Sequence, residues 1–203
     1  MPEPTDKPSS TEPPPSSGDP RAGRRRLLQG ALAGAPVLMT LVSRPVLAQQ
    51  CQTPSGFVSA NASTAGRGVN CTGRTPAFWA NPLNFSQWPS GFNPTNPQVT
   101  RFGPPQGVFA NSPYNGNPTL VDVLNAAATP HNATTDDVAR YVSAAVLNVA
   151  AGLTPVLSVQ AVKDIWSEYG ATGYGAGGSY SPSSGVTWNA SEIIEYLSTT
   201  MQS

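Results

Sequence analysis

"TTDDVARYVSAAVLNVAAGL", residues 134–153, is the stretch whose reading decides the fold. Val138, Val142, Ala145, Val146 and Val149 recur at three- and four-residue spacing, which gathers them on one face of an α-helix. Thr134 reads as its N-cap, with Asp137 three residues on completing a box-like start. Gly152 reads as the C′ stop, and Pro155 follows where the helix cannot continue. A helix with such a stripe has to bury it against other elements.

The neighbouring sequence supplies them. "TLVDVLNAAA" puts Leu120, Leu124 and Ala128 on one face with Val121 beside them. "SVQAVKDIWSEYG" begins at a Ser158 cap, turns Val159, Val162, Ile165, Trp166 and Tyr169 inward, and ends at Gly170. "NASEIIEYLSTTM" opens on Asn189 and Glu192 as a capping pair and gives an apolar face of Ile193, Ile194, Leu197 and Met201. The expected fold is mainly α: a small bundle of three or four short helices. Over it lies a long Pro/Gly-rich irregular segment at 89–118, where helix and central strand are both broken. Phe92, Phe102, Val108, Phe109 and Tyr114 are the anchors that could lay this segment over a core. Residues 170–187, "GATGYGAGGSYSPSSGVT", read as a flexible loop, with a binding loop through Tyr174 and Tyr180 as the lesser reading.

Upstream, "NCTGRTPAFWANPLNFSQWP" (70–89) concentrates aromatic residues. Thr75 followed by Pro76 is a helix start, and Pro82 divides the segment into two short turns. Two readings stay open for Phe78, Trp79, Phe85 and Trp88. They complete a small core, or they form an exposed platform that stacks on a sugar ring.

The first fifty residues read as an address. Residues 1–23 are rich in Pro, Ser and Glu and cannot bury enough apolar surface to fold. Residues 24–48 resemble a twin-arginine signal peptide: Arg24 and Arg25 as the paired arginines, Leu27 and Leu28 behind them, and cleavage between Ala48 and Gln49. An uncleaved membrane anchor is the alternative. The remainder, 49–203, is expected to be a single small helical domain. Cys51 and Cys71 are the only cysteines, and in an exported chain they are expected to pair. That disulfide would pin an N-terminal arm and leave the rest of the fold independent of it.

The 203-residue chain is 11% charged with a formal net charge of zero, so nothing in its electrostatics favours nucleic acid or anionic lipid. His131 is the only histidine and reads as a loop or cap residue. The acids of the mature chain (Asp122, Asp136, Asp137, Asp164, Glu168, Glu192 and Glu195) fall on outward helix faces or at caps. No nucleophile elbow, phosphate loop or metal-ligand spacing occurs. No catalytic residue, cofactor or metal is assigned. A weak cation group of His131, Asn132, Asp136 and Asp137 and a glycosidase-type carboxylate pair are minor alternatives.

"CTGRTPAFWANPLNFSQWP", then "NPTLVDVLNAAA", "VARYVSAAVLNVAAGL" and "LSVQAVKDIW" resemble, in that order, a family of exported bacterial proteins. Its members carry a C…T-P-G-[YF]-W-K-N-H…W-P segment followed by short amphipathic helices. The resemblance implies an architecture and no activity. Ala77, Ala80 and Pro82 stand where that pattern has Gly, Lys and His, so a function built on the basic pair is missing here. The expectation is an exported, non-enzymatic protein with a structural or interaction role in the cell envelope, in the periplasm or at the surface. Its partners would be the twin-arginine translocase during export, then an envelope protein or polysaccharide, with no stable membrane insertion after cleavage. A glycan-binding module and a secreted hydrolase are the alternatives.

Overall fold

The computed structural model describes residues 51–59, 69–126 and 132–202. The twin-arginine motif, the cleavage position, Ala128 and His131 lie outside the described residues. The described chain runs as helix α1 (Pro54–Ser59), strand β1 (Gly73–Arg74), helix α2 (Pro76–Ala80) and a 3-10 segment (Pro82–Gln87). After the irregular segment come helices α3 (Leu120–Leu124), α4 (Ala133–Ala150) and α5 (Val159–Ala171). Strands β2 (Ser179–Ser183) and β3 (Val186–Asn189), helix α6 (Ala190–Thr199) and strand β4 (Met201–Gln202) complete it. The result is mixed α/β and not a pure helical bundle.

Helix α4 is the hub, with α2, α3, α5 and α6 all packed on it. The expected stripe understates its burial. Val138, Ala139, Val142, Ser143, Ala144, Ala145, Val146, Leu147 and Asn148 are all buried, so the second half is enclosed on every side. Ala139, Ala144 and Ala145 keep the helix thin where its neighbours approach. The Ser143 hydroxyl is disposed of by donating to the Ala139 carbonyl at 2.7 Å. The N-cap lies two residues before the expected one. Asn132, not Thr134, accepts from the Thr135 amide at 2.8 Å, and Thr134 is exposed. Asn can cap as well as Thr, and capping at Asn132 lets the Thr135 side chain turn inward. At the other end Gly152 takes φ +74° at C′, as expected.

Two corrections concern strands. Residues 170–187 are not a flexible loop. Helix α5 runs past Gly170 to a Thr172 C-cap, and a β2–β3 hairpin follows with Tyr180 opposite Trp188. Thr172 Oγ1 accepts from the Ser179 amide at 2.7 Å, and Glu168 accepts from the Ser181 amide at 2.9 Å, so the hairpin is fastened to α5. Met201 leaves the last helix and enters β4, which pairs in parallel with β1 in the register Gly73↔Met201. That approach needs glycine. A Cβ on Gly73 would run into the Thr200 carbonyl and lie 2.9 Å from the Asn148 amide nitrogen.

Residues 89–118 hold no helix or strand, as expected, yet are pinned closely. Phe102 donates to the Pro118 carbonyl at 2.8 Å, and Phe109 donates to the Phe102 carbonyl at 2.9 Å. Their rings stack at 4.7 Å and meet Trp166 at 5.1 and 5.9 Å. Phe102, Phe109 and Tyr114 are buried; Phe92 and Val108 are half-buried. The Cys51–Cys71 disulfide is present.

Candidate functional site

The segment 74–88 builds itself from its own side chains. Thr75 accepts from the Phe78 amide at 3.3 Å, with Pro76 in the first turn of α2. Asn81 ends α2 and caps the next turn by accepting from the Leu83 amide at 3.0 Å, immediately before Pro82. The Asn84 side chain donates to the Phe78 carbonyl at 3.0 Å and ties the two turns together.

The tryptophans close the interior of this segment. Trp79 is 1% exposed and its indole donates to Asn148 Oδ1 at 3.0 Å. Trp88 is 8% exposed and its indole donates to the Trp79 carbonyl at 3.1 Å. The two rings meet edge to face at 6.3 Å. This corrects the platform reading for Trp79 and Trp88. Their faces are covered and their only polar atoms are spent on the core, so neither can stack on a sugar. Phe78 and Phe85 are half-buried, each edge-on to a tryptophan, at 5.2 and 5.9 Å. Leu83 stands out at 86% exposed, and the Arg74 guanidinium lies 4.9 Å over the Phe78 ring. The surface the segment presents is therefore Leu83 with Phe78, Phe85 and Arg74, on a rigid base of two tryptophans.

Asn148 holds that base, and it was not singled out by its sequence. Its Oδ1 accepts from both the Arg74 amide (2.7 Å) and the Trp79 indole, while its Nδ2 donates to the Arg74 carbonyl at 2.9 Å. One amide thus satisfies a strand end and a buried tryptophan from the last turn of the central helix. The available signal was a polar residue inside the apolar run "AAVLNVAA".

The described carboxylates have structural employment. Asp122 completes a capping box with Thr119, and Glu192 completes one with Asn189. Asp137 pairs with Arg140 at 3.5 Å, and Asp164 accepts from Gln160 at 2.8 Å. Asp136 accepts from the buried Tyr114 phenol; burial first, and then this carboxylate, pushes that phenol well above the usual tyrosine range. Among the described residues no group of three or more His, Cys, Asp or Glu could hold a metal. With His131 outside the described residues, the cation group of His131, Asn132, Asp136 and Asp137 has no described geometry.

No protein-family model matches this chain, and neither does any curated protein or solved structure in the comparisons made. Two open clefts lie among the described residues. One, of about 430 Å³, lies between the irregular segment at Pro104, Pro105 and Val108 and the α5 side chains Gln160, Lys163 and Asp164. The other, of about 440 Å³, lies beside Pro76, Arg140, Tyr141 and Ile194. Among the described residues no helix is long and apolar enough to cross a membrane.

Proposed function

We propose that this is an exported protein of the bacterial envelope that works by binding and not by catalysis. Its export would use the twin-arginine signal around Arg24 and Arg25, with cleavage after Ala48. The observation that carries the binding reading is the exposed Leu83, carried on the same segment as half-buried Phe78 and Phe85 and on a base of two buried tryptophans. An apolar side chain this exposed, on a base that cannot fold over it, suits a preorganised contact with an envelope protein. The test is retention of the mature chain, from Gln49, on envelope fractions. Leu83→Asp is expected to lower retention at least tenfold with unchanged urea unfolding. Equal retention of the variant and the parent protein would sink this reading.

A polysaccharide partner is the second reading, and the cleft at 104–110 favours it. Pro104, Pro105 and Val108 offer apolar contact, while Gln160, Lys163 and Asp164 offer polar groups on one helix face. Trp166 lies behind Phe109, so oligosaccharide binding there would shift its fluorescence. Abolition of that shift by Lys163→Ala with Asp164→Ala, and not by Leu83→Asp, would favour the sugar reading over the protein one.

A further inference from the structure

The arm 51–59 meets the rest of the protein through Cys51, through Phe57 and Val58 against the core, and through helix α1 on strand β2. Cys51 is bonded to Cys71 and its amide donates to the Val69 carbonyl at 3.2 Å. Phe57 stands edge-on to Trp188 at 5.7 Å and to Tyr196 at 5.4 Å. The Tyr196 hydroxyl donates to the Gln52 carbonyl at 2.9 Å. Tyr180 lies 5.9 Å from Trp188 on its other side, and Trp188 and Tyr196 stack at 5.0 Å. No residue of helix α1 is fully buried, and the interior around Asn148, Phe102 and Trp166 is assembled without it.

We infer that this arm is a redox-latched strap over an aromatic cradle of Tyr180, Trp188 and Tyr196. It is docked when Cys51 and Cys71 form a disulfide and released when they are thiols. Phe57 and Val58 pack against the core and helix α1 lies on strand β2, and these contacts with one long-range hydrogen bond work against the backbone freedom of about nine residues. Closing a loop of 20 residues tips such a balance on the order of a hundredfold. To close the latch, the two thiols pass two electrons and two protons to a disulfide-bearing oxidant by thiol–disulfide exchange. The oxidant leaves as a dithiol, and a dithiol reductant runs the step backwards. Cys51 and Cys71 are 3% and 6% exposed in the docked form, so the bond is screened once made and the latch runs chiefly towards closure. The chain released from a reducing cytosol would carry an open cradle, and the oxidising compartment would shut it. Only that direction rests on the export reading; the latch itself is a property of the purified chain.

The test is amide hydrogen exchange of the mature chain, oxidised and as the Cys51→Ser, Cys71→Ser double variant, read in residues 52–59 and in 138–148 together. Expected is at least tenfold faster exchange in the arm of the double variant, unchanged protection in the central helix, and a red shift of tryptophan emission as Trp188 is uncovered. Phe57→Ala with the disulfide intact is expected to raise arm exchange as well, because the cross-link alone does not fill the cradle. Equal protection of the arm in the double variant would overturn the latch. So would loss of protection in the central helix, which would make the disulfide a support of the whole fold. Unchanged arm exchange in Phe57→Ala would overturn the cradle. A failure of Arg24 and Arg25 to direct export would strike the proposed function and leave these exchange results as they are.

Discussion

Asn148 shows how one side chain can decide the reading of a segment far from it in sequence. It is the buried amide on which Trp79, 69 residues upstream, spends its indole N–H. Removing it orphans one buried donor, the Trp79 indole, and the part-buried amide and carbonyl of Arg74. Asn148→Ala is therefore expected to lose about 2–4 kcal/mol in urea unfolding, several times a typical surface substitution. A loss below about 1 kcal/mol would mean that water replaces the amide. The sequence carried the residue types of the 70–89 segment but not their orientation. Thr75, Pro76, Asn81 and Pro82 act locally, through bonds two or three residues away, and so were legible. Whether Trp79 and Trp88 face water depends on a partner in another helix, and no local pattern records that.

Among the elements, caps were legible and strands were not. Ser158 and the Asn189–Glu192 box stand where the sequence placed them, because each is a short-range hydrogen bond between side chain and backbone. Asn189 accepts from both the Ser191 and Glu192 amides, at 2.9 and 3.2 Å. Asn189→Ala is expected to cost about 1 kcal/mol. Thermal unfolding unchanged by that substitution would show that the hairpin leading into α6 already fixes the turn. The β2–β3 hairpin was missed because "GYGAGGSYSPSSG" has no alternation to read. Its order comes from Thr172 and Glu168 reaching across from α5 and from the tilted contact of Trp188 with its cross-strand neighbour Tyr180 at 5.9 Å. The misplaced start of α4 has a similar origin. Asn132 and Thr134 are both competent caps, and the choice between them follows from Thr135 finding Gly175, whose amide donates to its hydroxyl at 2.8 Å.

Across the whole molecule, tyrosine burial makes stability depend on alkali. Burial is the first cause that raises Tyr114, Tyr169, Tyr174, Tyr180 and Tyr196, with Tyr174 pushed up to about 12. In the unfolded chain these phenols ionise near the ordinary value of about 10. The folded state thus holds its protons longer, and its stability is fully present below about pH 10. It is lost as the pH climbs through that value towards the raised ones, because the unfolded state then binds fewer protons. The urea midpoint should stay level to about pH 9 and fall steeply above about pH 10, with tyrosinate absorbance appearing together with unfolding. Complete tyrosinate absorbance in protein that is still folded would contradict this. The interior that sets this behaviour is built largely from aromatic rings. Rings from the irregular segment, α5, the hairpin and α6 fill space that leucine and isoleucine would occupy elsewhere, which is why so few of the aromatic residues are available for a ligand.

The parallel β1–β4 pair has a mechanical consequence. Gly73 lies beside Met201, and the Gln202 side chain donates to the Cys71 carbonyl at 2.8 Å. With Cys51 bonded to Cys71, tension applied between residues 51 and 202 has a short route. It crosses one covalent bond and then a two-residue ladder loaded along its strands. An attachment at either of these positions would emerge from the same pole of the domain. A pull between them would load that ladder and, through the Asn148 bonds to Arg74, the last turn of the hub helix.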